Sequence, residues 1–301
     1  MSIRFGPRDI AFPSQQMGEL RDSNDLLGDS AALGQRMEED GYLLLRGALD
    51  RETVMRGRRT VLEHIALHEG LVPGTPVLDG VMPPGTRERT LVRPREITHH
   101  PDVLAVLESP RLFEFYQGLF GAPARTFNYK WLRAVGNAKH TPAHMDVIYV
   151  GRGTHQRCTC WIPIGDLDLQ IGTLAICVGS HRLESYAHMR GTYGRMDMDR
   201  DGVTGRLSED PLHFVEHYGG QWQTTEFRAG DLLTFGLFTL HASITNMTNR
   251  YRISADVRFQ PAHLPIDPRF VGDEPRGHAD AVTDPAKQVT MEQKKVEWGL
   301  V

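Results

Sequence analysis

The sequence predicts a mainly β fold with flanking helices, its strands closing into a jelly roll. Three observations carry that reading. Apolar residues recur at helical spacing through the first third. After Gly121 the chain turns to short apolar runs bounded by Gly, Pro, Asp or Asn. The last of these runs alternates cleanly between apolar and polar residues. A helical third followed by many short strands suits a β core with helices packed outside it.

The elements follow in order. Residues 1–30 are polar and rich in Gly, Asp and Ser, and read as a loosely held N-terminal arm. Residues 31–120 form a mainly helical support. Leu33 and Met37, four apart, predict a helix over 31–40, and a short β-like run follows over 41–46. Asp50 is a natural N-cap for a helix over 51–68, with Val54, Val61, Ile65 and Leu67 as its apolar side. Gly and Pro punctuate 69–100, which reads as a long loop and a candidate lid. Residues 101–119 return to helical spacing. Strands are then expected over 126–135, 147–150, 158–164, 173–178, 221–227, 231–238 and 251–259. The polar stretch 181–220 reads as an insertion into a core spanning 121–260. The tail 261–301 begins Pro- and Asp-rich and ends in a charged, helix-like run, 291–298. The 301 residues read as one domain.

Bulk properties exclude several classes. A formal net charge of -4 offers no basic excess for nucleic acid or an anionic membrane. The N-terminus has no apolar core of a secretory signal, and no apolar run approaches the roughly 18 residues of a membrane span. Three cysteines are too few for a disulfide framework, so buried thiols in a reducing, cytoplasmic setting are expected. The partner this leaves is a small molecule; self-association into a homo-oligomer is compatible with all of it.

Chemistry concentrates in two places. In Pro142-Ala-His144-Met-Asp146, an imidazole and a carboxylate two apart would share one strand face. Far downstream, His241 ends an apolar strand before a polar turn, and completes a set of two histidines and one carboxylate. That set suits non-haem iron(II), with several metal positions left open. The run 250–259 then places Tyr251, Ile253, Ala255, Val257 and Phe259 on one face, and Arg250, Arg252, Ser254, Asp256 and Arg258 on the other. Such a strand is either an exposed edge or the wall of a polar cavity; with the metal residues nearby, the cavity is favoured, where an arginine can grip a carboxylate in a two-point contact. Lys130 and Arg133 would point to opposite faces of the 126–135 strand.

These pieces together resemble the phytanoyl-CoA dioxygenase (PhyH) family of iron(II)/2-oxoglutarate oxygenases. The resemblance rests on His144-Met-Asp146, on Cys160-Trp161-Ile-Pro163 with Gly165-Asp166, on 172–181, and on the GDLLTF…LHAS…YRIS order, over roughly 30–260. It implies a double-stranded β-helix (jelly-roll, cupin-like) core. It also implies Fe(II), 2-oxoglutarate and O2 as cofactor and co-substrates. The activity would be hydroxylation of an unactivated C–H bond of a small molecule, with decarboxylation of 2-oxoglutarate to succinate and CO2. His144, Asp146 and His241 would hold the metal and act as its catalytic ligands. Arg252, eleven residues after His241, would take the far carboxylate of 2-oxoglutarate, with Ser243, Trp161, Thr159 and an upstream residue, Lys130 or Arg133, beside it. Arg258, Tyr149 and Arg133 are expected toward substrate. Asp146 is the carboxylate that halogenating relatives lose, so halogenation is disfavoured. Two other readings stand beside this one. The first is a cupin-like metalloenzyme without 2-oxoglutarate, against which Arg252 and Ser243 argue. The second is a ligand-binding jelly roll without catalysis. Neither 69–100 nor 181–220 carries a signature for a coenzyme-A thioester.

Overall fold

The N-terminal segment is woven into the protein from its first residues. The computed structural model describes residues 1–86, 89–90, 94–278 and 289–300, so 87–88 and 91–93 of the candidate lid and 279–288 and 301 of the tail lie outside the described residues. Strands β1 (Ser2–Phe5) and β2 (Arg8–Ala11) form an antiparallel hairpin, and β3 (Met17–Glu19) pairs in parallel with a strand some two hundred residues downstream. Ile3, Phe5, Met17 and Leu20 are buried. The expected loose arm is therefore structural: these four apolar residues reach the core, while Met1 and Leu27 stay exposed, and the Phe5 ring sits 5.1 Å from that of Trp222.

The helical support follows the expected order. Helix α1 (Ser30–Asp40) is capped by Asp29, β4 is Tyr42–Leu45, and α2 (Arg51–Leu67) is capped by Asp50, whose carboxylate accepts from Thr53 N–H. The described part of 69–100 holds β5 (Arg89–Thr90) and α3 (Arg95–Thr98). The helix expected over 101–119 is two, α4 (Pro101–Leu107) and α5 (Pro110–Phe120). Pro110 lacks the N–H that would continue the first helix and starts the second instead.

Two facing sheets make the core. The larger runs β4–β11–β8–β13–β7–β5, with β6 (Ala124–Thr126) also on β13; its members are β7 (Trp131–Val135), β8 (Cys158–Pro163), β11 (Leu232–Gly236) and β13 (Arg252–Pro261). The smaller runs β12–β9–β10–β3, with β9 (Leu174–Cys177), β10 (Trp222–Thr224) and β12 (His241–Ser243). Trp161 of β8 packs between them with Leu174, Ile176 and Phe227. The 126–135 strand is interrupted, since 127–130 turns away to reach Phe270. Residues 181–220 lie between β9 and β10, which pair with each other, and carry short helices, among them Leu212–Tyr218. The tail ends in a helix, Met291–Trp298, closed by a Thr290/Gln293 capping box.

One expected strand is a helical turn. Val147-Ile-Tyr-Val150 has the β-branched character of a strand, yet Tyr149 and Val150 N–H both bond back to Asp146 O, while Val147 N–H reaches Leu237 O. The edge-strand reading of 250–259 also fails. β13 is flanked by β8 on one side and β7 on the other and is buried along its whole length, so its polar face lines an interior.

Candidate metal centre

The three ligand candidates meet through a bridge and a turn. His241 opens β12, and His144 pairs with it antiparallel, each N–H donating to the other's carbonyl at 3.0 Å. The segment before Asp146 thus adds an edge to the smaller sheet and brings the two imidazoles to 4.1 Å between centroids. The chain then leaves extended geometry. Asp146, at φ -68° and ψ -18°, swings its carboxylate toward the larger sheet, where Thr159 and Arg258 stand opposite each other. Asp146 Oδ1 lies 3.7 Å from His144 Nε2 and 3.8 Å from His241 Nε2. All three side chains are buried, and their donor atoms lie within 4.8 Å of one another, the one such cluster of three or more among the described residues.

The tautomers follow from the backbone. His144 Nδ1 lies 2.8 Å from Pro142 O and His241 Nδ1 lies 3.0 Å from Thr239 O. A carbonyl only accepts, so each Nδ1 carries the proton and each Nε2 presents its lone pair. Burial, with His241 beside it, pushes the His144 imidazole down to about 3; burial also lowers His241. Burial opposes ionisation of Asp146, yet Arg258, then the imidazoles and the Thr159 hydroxyl, hold it below the ordinary carboxylate range. Two neutral imidazoles and an anionic carboxylate are the donor set that ferrous iron takes.

These shifts set a pH dependence. Below pH 6.5 the unfolded chain protonates the imidazole of His144, while the folded protein keeps it neutral down to about 3. The unfolded state then binds more protons, so stability is lost as the pH falls across that window, by about 1.4 kcal/mol per pH unit for this group. Asp146, depressed when folded, adds loss in the same direction below its ordinary 3.8. The urea midpoint of metal-free protein is expected to be lower at pH 5.5 than at 7.5; equal midpoints would contradict these assignments.

The other expected residues divide. Thr159 donates to Asp146 Oδ2, so its hydroxyl is directed at a ligand. Thr159→Val keeps the shape and removes the donor, and is expected to weaken metal binding about 10–100-fold in a chelator competition, the usual loss for an outer partner of a ligand. Arg258 Nη2 lies 3.1 Å from the same oxygen. Arg252 is buried on the same polar face of β13, with Nη1 donating to Gly172 O at 3.3 Å. The Ser243 oxygen accepts Thr141 N–H at 2.7 Å. Arg133 faces the interior and bonds Asp256 at 2.8 Å, whereas Lys130 lies on the helical side, held by Glu108 at 2.7 Å and Phe127 O at 2.6 Å. Tyr149 sets its ring edge-on to His144, centroids 5.5 Å apart. Burial raises its phenol, Asp146 adds to this, and Arg206 and Arg133 oppose it.

Sequence reasoning did not find the contacts that hold the 181–220 insertion against the site. Ala143 N–H donates to Ser208 O, and Leu207 N–H to Ala143 O, both at 2.9 Å, while Tyr193 OH donates to Gly205 O. The 181–220 insertion is thereby pinned beside the ligand segment. Gly205, at φ +75°, lets the Tyr149 ring pass where a Cβ would meet it at 2.6 Å. Nor did the sequence expose Pro142 O and Thr239 O, since every residue has a carbonyl.

The profile of the phytanoyl-CoA dioxygenase (PhyH) family matches residues 37–254. The chain belongs to this family. Among its relatives, the 1-deoxypentalenic acid 11-beta-hydroxylase of Streptomyces exfoliatus is 29% identical over 259 residues, covering 82% of this chain and 86% of the relative. Two solved structures share its fold. The non-heme α-ketoglutarate-dependent carbocyclase SnoK from nogalamycin biosynthesis has a TM-score of 0.59 at 16% identity, over 89% of this chain and 97% of its own. The epimerase SnoN of the same biosynthesis has a TM-score of 0.58 at 19% identity, over 85% and 93%. The core is accordingly the cupin-like double-stranded β-helix, and the chain is a non-haem iron- and 2-oxoglutarate-dependent oxygenase.

Proposed function

We propose that this oxygenase hydroxylates an unactivated C–H bond of a small acidic molecule, with His144, Asp146 and His241 as the metal ligands. The observation that carries the reading is the pair of buried imidazoles whose unprotonated Nε2 atoms both face one oxygen of Asp146. Ferrous iron, when bound there, supplies the redox chemistry that couples decarboxylation of 2-oxoglutarate to oxidation of the substrate.

The chain's own residues bind and orient. Arg252 sits six residues before Arg258 on the same polar face of one strand. It is thus a separate cation, suited to the far carboxylate of 2-oxoglutarate. Ser243, whose oxygen already accepts from Thr141, keeps its proton to donate to that carboxylate. Trp161 walls the interior between the sheets. Lys130 is committed to Glu108, which assigns the upstream role to Arg133. An acidic substrate is supported by Arg206, which adjoins Leu207 and Ser208, both bonded to Ala143, and by a relative named for an acid.

We read residues 1–301 as one domain working in a reducing cytoplasm, where three buried, free cysteines stay reduced. No helix among the described residues is long and apolar enough to cross a membrane. With Fe(II), ascorbate and 2-oxoglutarate, a panel of small carboxylic acids is expected to contain members that raise succinate above the uncoupled rate while their methyl esters do not. No succinate under any condition would refute the reading.

A further inference from the structure

We infer that Arg258 is a positioning residue that fixes Asp146 as a one-oxygen ligand, keeping a metal position open for 2-oxoglutarate. The inference rests on the functional reading above. Asp146 divides its oxygens cleanly. Oδ1 faces both imidazole Nε2 atoms, at 3.7 and 3.8 Å, whereas Oδ2 takes the Thr159 hydroxyl and Arg258 Nη2. A carboxylate that turned both oxygens to the metal would have to give up both donors. Two-oxygen ligation would also occupy one of the positions that a facial set of three donors leaves open.

Arg258 is a poor stabiliser and a good clamp. A buried guanidinium carries five donors and a large desolvation cost. Here Nε and Nη1 are buried with no hydrogen-bond partner, and the side chain is 4% exposed. Asp256, two residues earlier on the strand, is bound by Arg133 instead. The Trp131 ring lies against the guanidinium at 4.9 Å and holds its plane. An arginine with most of its hydrogen-bonding capacity unspent, aimed at one oxygen of one ligand, is placed for orientation rather than for stability.

Arg258→Met keeps length and contact with Trp131 but removes charge and donors; Arg258→Lys keeps charge and one donor. Both are compared with the parent, anaerobically, by Fe(II) competition with a chelator and by the charge-transfer absorbance of added 2-oxoglutarate. Arg258→Met is expected to bind Fe(II) within about tenfold of the parent but 2-oxoglutarate about 10–100-fold more weakly, and Arg258→Lys to recover most of that loss. Unchanged 2-oxoglutarate affinity in Arg258→Met overturns the inference. So does equal loss of metal in both variants, which marks the side chain as packing. A parent protein that gives no absorbance band refutes the functional reading itself.

Discussion

Asp146→Ala is expected to lower Fe(II) affinity by more than the roughly 100-fold that loss of an outer partner costs, and to abolish succinate formation. The carboxylate is the sole anion in the donor set, and its Oδ1 is the atom both imidazoles face. The variant has a second, separable consequence. It strips Arg258 of the carboxylate 3.1 Å away while leaving the guanidinium buried. An uncompensated buried charge costs about 3–5 kcal/mol, so the metal-free variant should melt well below the metal-free parent. Asp146→Ala combined with Arg258→Met should recover much of that stability and none of the metal binding. Recovery of neither, or a single variant that melts like the parent, would contradict the pairing.

Arg252→Gln is expected to raise the dissociation constant for 2-oxoglutarate by at least about 100-fold and to leave Fe(II) affinity unchanged. The magnitude follows from a two-point contact to a carboxylate, in which each charge-assisted hydrogen bond contributes about 1.5–3 kcal/mol. Arg252 is 1% exposed, so the screening that makes surface contacts weak does not apply. Arg258 and Thr159 hold Asp146, whereas Arg252 stands six residues from Arg258 along β13, which predicts the split: co-substrate affinity falls and metal affinity holds. Competition with a chelator and anaerobic 2-oxoglutarate titration measure the two separately; loss of both together would place Arg252 in the fold rather than in the co-substrate site.

The parts legible in the sequence are those whose signal is local. The period-two alternation of 250–259 survives in a strand buried on both faces, because its polar face lines an interior as consistently as it would face water. Asp50 caps α2 through a bond three residues long. Other features depend on partners remote in the chain. Phe5 and Met17 look like scattered apolar residues of an arm until Trp222 arrives beside them. The strand propensity of Val147–Val150 is overridden once Asp146 O accepts from two N–H groups of the turn. Lys130 and Arg133 were indistinguishable because only a strand starting at Trp131 decides which faces inward. Arg258 was expected toward substrate, and its contact with Asp146 joins residues 112 apart in sequence, on elements no spacing rule connects.

Adding one equivalent of 2-oxoglutarate to the Fe(II)-loaded protein without oxygen tests the central claim most directly. A visible charge-transfer band is expected that saturates near one equivalent in the parent and is absent in His241→Ala. A parent that binds Fe(II) and 2-oxoglutarate without that band, or a His241→Ala variant that keeps it, would contradict the claim that these three side chains hold the metal where 2-oxoglutarate chelates it.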